Sequence, residues 1–95
     1  MSYQAPVGYG VVMDVPLQKQ HYVLQKLLNG EFSSMPSELV KKIELPDPHD
    51  PRRTLELILL VLNGETPTQP IVKLFAPNKY YNTIRESLAV KLLPN

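Results

Sequence analysis

The 95-residue chain contains no cysteine. Disulfide scaffolds, thiolate zinc sites and cysteine nucleophiles are therefore excluded together. The same composition fits a reducing compartment, and an intracellular, cytoplasmic setting is the expectation. Histidine is scarce, with only His21 and His49. Long apolar runs are missing too: the longest spans 57–62, and a bilayer core needs about 20 residues. No basic-then-apolar leader is visible in Met1-Ser2-Tyr3-Gln4-Ala5-Pro6, so neither secretion nor membrane insertion is expected. A large charge of one sign is also absent, since ten Lys and Arg stand against nine Asp and Glu, for a net +1.

What is present describes one small domain, 1–95. Hydrophobic residues make up 43% of it, enough for a globular fold and too much for a disordered chain. A chain this short buries only about 60–70% of its unfolded surface. The charge is unevenly spread. An acidic middle (Glu31, Glu38, Glu44, Asp47, Asp50) precedes a basic end (Lys73, Lys79, Arg85, Lys91). Ten prolines punctuate the chain, with Pro46, Pro48 and Pro51 clustered and Pro67 and Pro70 following. They stiffen the connections between short elements.

Two segments end alike, in Leu28-Asn29-Gly30-Glu31 and Leu62-Asn63-Gly64-Glu65, 34 positions apart. A solenoid repeat of that period would carry Trp, Gly, Tyr and Ala at set positions, which are missing here. Asn-Gly is a favoured left-handed helix stop, so the likeness reads as two helix ends rather than a duplication.

Periodicity predicts an α+β, predominantly helical fold with four helices (16–28, 35–43, 51–62, 79–92) and two short strands (7–13, 70–76). An all-α bundle is the alternative. Val7, Tyr9, Val11 and Met13 alternate as in a strand, and 70–76 is rich in β-branched and aromatic residues. Leu17, Val23, Leu24, Leu27 and Leu28 form a helical stripe, as do Tyr81, Ile84, Leu88 and Leu92. Ser34, Asp50 and Asn78 are expected helix caps. The segment 55–62 is apolar on all sides. That suits a central helix, given the four leucines of the run 57–62, or a buried strand, and helix is preferred.

No constellation for catalysis appears. Asp47, His49 and Asp50 share a proline loop, but their spacing matches no established metal-ligand pattern. Neither a cofactor nor a metal is expected, and the chain reads as a non-enzyme. The expected function is a protein–protein interaction or structural module. It would assemble with itself or within a larger complex through helix 51–62, with Tyr22, Leu57 and Leu60 as partner-binding residues. The alternative is a nucleic-acid-binding regulator using Arg52, Arg53, Lys73, Lys79, Arg85 and Lys91.

Overall fold

A computed structural model describes residues 3–29, 38–62 and 70–92, the last three of these through their backbone only. In chain order the elements are strand β1 (Tyr9–Asp14), helix α1 (Leu17–Leu27), strands β2 (Glu38–Pro46), β3 (Thr54–Leu62) and β4 (Ile71–Pro77), a single 3-10 turn (Asn78–Tyr80), and helix α2 (Tyr81–Leu92). The strands form one antiparallel sheet in the order β1-β4-β3-β2. Both helices lie on the same face of it. Their apolar residues Val23, Leu24, Leu27, Ile84 and Leu88 join Leu45, Leu55, Leu57, Leu59, Val61, Val72 and Leu74 in one core.

This corrects the predominantly helical expectation and its all-α alternative. The described part of the segment expected as helix 35–43 lies in strand β2, and the segment expected as helix 51–62 is the end of a turn, 51–53, followed by strand β3. The reason lies in burial. β3 is paired along both edges and packed on both faces, by the helices on one side and the N-terminal segment on the other, so the alternation of polar and apolar residues that marks a half-buried strand is erased. Leu55, Leu57, Leu59 and Val61 face the helices, while Ile58 and Leu60 lie in a second cluster on the opposite face. Pairing on both sides overrides the helix propensity of leucine. In β2, Ile43 and Leu45 are buried toward the helices, but Lys41, at the inward position between Leu39 and Ile43, is exposed. That break in alternation left Leu39, Val40 and Ile43 looking like a helical stripe.

The other four elements occupy the segments where the sequence pattern placed them, with shifted ends. Pro16 stands at the N-cap of α1, and the helix ends as Leu28 N–H donates to the Leu24 carbonyl and Asn29 turns left-handed at φ 53°. Gln20, buried in α1, donates its amide to the carbonyls of Val15 and Pro70 at 3.3 and 3.0 Å, tying the helix to both strands at one end of the β1–β4 pair. Asn78 opens the 3-10 turn rather than capping α2 directly. Ser34 lies outside the described residues. Asp50 caps no helix: its carboxylate accepts from Arg52 N–H within the β2–β3 loop.

Candidate functional site

The sheet has a second apolar face. Ile58, Leu60 and Phe75 are buried there under Tyr3, Ala5, Tyr9 and Leu62. The Tyr3 and Phe75 rings meet at 5.6 Å between centroids, inclined by 59°. An extended N-terminal segment thus supplies part of the cover that helices give the other side. At the margins the cover stops, and Val11, Val40 and Ile71 remain 40, 43 and 46% exposed. Val40 pairs across to Leu60, and Ile71 to Leu62.

The two edges of the sheet differ. β1 is six residues long, and its register with β4 breaks at a bulge between Val11 and Met13. Bulged, short edges resist pairing with a further strand. β2 is nine residues long and pairs without a break to β3, from Glu38 opposite Leu62 to Pro46 opposite Thr54. On its other side β2 pairs with no strand among the described residues. Its outward-facing positions read Glu38, Val40, Lys42 and Glu44. Lys42 approaches Glu56 at 3.9 Å with both side chains largely in solvent, and Glu38 has no ion-pair partner among the described residues.

The β2–β3 loop holds a polar cluster built on a buried carboxylate. Asp47, with its side chain only 1% exposed, accepts two hydrogen bonds from Arg53, from Nε at 2.8 and Nη2 at 2.6 Å, and one from His49 N–H at 2.8 Å. The His49 N–H, chiefly, and the Arg53 guanidinium hold the carboxyl below the usual range against the opposing effect of burial. Asp47 raises Arg53 in turn. Asp47 N–H donates to the Arg53 carbonyl, and Ser87 Oγ donates to the Pro46 carbonyl, fastening the loop to α2. His49 Nε2 meets Glu86 Oε2 at 2.9 Å on the surface. Asp47, His49 and Asp50 therefore point to three different partners. Among the described residues no group of three or more His, Asp or Glu is placed to hold a metal. The arrangement makes a stiff hairpin turn.

The expected partner-binding residues separate. Leu57 is fully buried beneath the helices, Leu60 is 3% exposed on the opposite face, and Tyr22 is half-buried on α1 with Lys26 Nζ 5.6 Å from its ring centre. The expected basic residues separate as well. Arg53 serves Asp47, and Lys73 lies 3.3 Å from Asp14. Arg52 is exposed in the hairpin loop and Arg85 on α2; the Lys91 side chain lies outside the described residues. Arg53 and Lys79 do converge on Tyr80, at 5.2 and 5.1 Å from its ring centre. Beside Tyr80 an open cleft of about 610 Å³ is lined by Val7, Gly8, Tyr9, Pro77, Asn78 and Lys79. No nucleophile–base pair faces it. Sequence reasoning missed Tyr3, Phe75 and Val40. The alternation Lys42-Ile43-Glu44-Leu45 was the available signal that the last sits on a strand.

Among the described residues no helix is long and apolar enough to cross a membrane. Comparison of the chain with protein-family models, with curated proteins and with solved structures found no match.

Proposed function

We propose that the chain is a non-enzymatic interaction module that assembles with a copy of itself, through its sheet. The supporting observation is the position of β2: nine residues in unbroken register with β3 on one side and no strand on the other among the described residues. A long, regular edge offers a row of backbone donors and acceptors to an incoming strand. The exposed Val40 beside it adds apolar area. A cytoplasmic setting is part of the proposal. Sedimentation velocity from micromolar to millimolar concentration tests it. A dimer that forms with rising concentration is expected, and a strict monomer throughout overturns the reading.

A second reading has one observation in its favour, the Tyr80 ring flanked by Arg53 and Lys79. Stacking rings next to cations suit single-stranded nucleic acid. A gel shift at two salt concentrations tests it. Binding must weaken as salt rises, because phosphate contacts release counterions. No shift at low salt rejects it.

A further inference from the structure

We infer that two copies of the chain join β2 to β2 in antiparallel register about Val40, making one continuous eight-stranded sheet. This rests on the self-assembly reading above and names its surface and geometry. A two-fold dimer presents the same patch from both partners, so the β2 edge must complement itself. Directly opposed residues of an antiparallel pair share a face. Val40 then opposes Val40 of the second copy, Glu38 opposes Lys42 of the second copy, and Leu39 opposes Lys41 of the second copy. The two-fold repeats each unlike pair.

Charge selects this register over those centred on Lys41 and Lys42. Centring the pair on Lys41 sets Lys41 against itself and Glu38 against Glu44. Centring on Lys42 sets Lys42 against itself. Like charges directly opposite are destabilising. Centring on Ile43 does match Lys42 with Glu44, but it places Val40 against Pro46, which has no N–H to give. It also gathers Ile43, which is already buried. The Val40 register covers the apolar side chain that the single chain leaves 43% exposed on this strand, and it gives Glu38 a cation. Lys42 loses little by turning from Glu56, since that contact is long and solvated. The opposite edge, β1, remains blunted by its bulge, so assembly stops at two copies rather than growing into a fibre.

The cysteine-free sequence makes the test direct. Val40→Cys and Glu44→Cys are prepared separately, checked for native circular dichroism, and mildly oxidised. Opposed Cα atoms in an antiparallel pair lie about 4.5–5.5 Å apart, inside disulfide reach. The two Glu44 positions would be offset by about 27 Å in this register, and by only about 7 Å in the register centred on Ile43. A covalent dimer from Val40→Cys at least about tenfold faster than from Glu44→Cys is expected. Glu38→Lys alone and Lys42→Glu alone should each weaken the dimer by about tenfold, and the double exchange should restore it. A dimer that crosslinks through Glu44→Cys instead, or that ignores the charge exchange, overturns this register and leaves self-assembly standing. A wild-type chain that stays monomeric at millimolar concentration overturns both.

Discussion

The assignment of β3 as a central strand makes a sharp prediction about which pairs of residues share energy. Leu57 and Leu60 are three apart. On a helix they would lie on one face and touch. On β3 they lie on opposite sides of the sheet, Leu57 under the helices and Leu60 in the outer cluster with Tyr3 and Phe75. Leu57→Ala removes a fully buried side chain from a packed two-layer core and should cost about 2–5 kcal/mol. A chain of this size has roughly 5–14 kcal/mol in total, so this one change approaches the limit of what the fold tolerates. Leu60→Ala should cost less, about 1.5–3 kcal/mol, because the N-terminal segment above it can settle into the gap. Urea unfolding of both single variants and the double variant gives the coupling between them. A strand predicts additivity within about 0.5 kcal/mol. Tyr3→Ala combined with Leu60→Ala should instead fall short of additivity by more than that, since both thin the same cluster. Strong coupling of Leu57 with Leu60, together with none between Tyr3 and Leu60, would refute the two-faced strand.

Three further outcomes are expected. Tyr3→Ala removes the ring pair with Phe75 and uncovers Ile58 and Leu60; it should lose about 1 kcal/mol and raise binding of a hydrophobic dye in the folded state. Gly8 sits at φ 85° with open space where a Cβ would be, so Gly8→Ala should cost about 1 kcal/mol through backbone strain alone, read as a midpoint shift in urea, and Gly8→Asn should cost less. The Asp47 carboxyl is held below the ordinary 3.8, so its contribution to stability is complete above that value and is lost as pH falls through the lower folded value; Asp47→Asn should flatten the acid limb of the stability–pH curve, and an unchanged acid limb would remove Asp47 as its source.

How much of this was visible in the residues depends on how each segment is buried. α1 and α2 are each covered on one side, so their stripes survive as a 3.6-residue pattern. β1 and β4 show β-branched and aromatic enrichment near glycine or proline. β3 hides because it is covered twice, and β2 because Lys41 interrupts its inward face at the sheet edge. The candidate surface follows the same logic. On a helix over 35–43 Val40 would share an apolar stripe with Leu39 and Ile43; on an edge strand it is exposed, beside a ladder with no further strand among the described residues. Tyr3 covers Phe75 from 72 positions away in sequence, a contact that no local pattern encodes. The Asp47–Arg53 clamp was half visible: acid and guanidinium bracket a loop of two prolines, but the burial that makes Asp47 a structural anchor comes from how the hairpin closes.

The paired Leu-Asn-Gly-Glu endings show why local likeness misled. Shifted by 34 positions, Val23, Leu24, Leu27 and Leu28 fall on Leu57, Ile58, Val61 and Leu62. On α1 the spacing i, i+1, i+4, i+5 collects on one helical face, and all four side chains enter the same core. On β3 the same spacing divides by parity. Leu57 and Val61 face the helices, while Ile58 and Leu62 face Tyr3 and Phe75. One pattern thus fills one core from a helix and two clusters from a strand. The first ending is a left-handed stop at Asn29; the second follows a strand that is already hydrogen-bonded on both sides. Backbone partners therefore decide what the apolar spacing means. Among the described residues β3 has them on both edges and β2 on one, and the long unbroken edge of β2, unlike the bulged edge of β1, is the one proposed to receive a second copy of the chain.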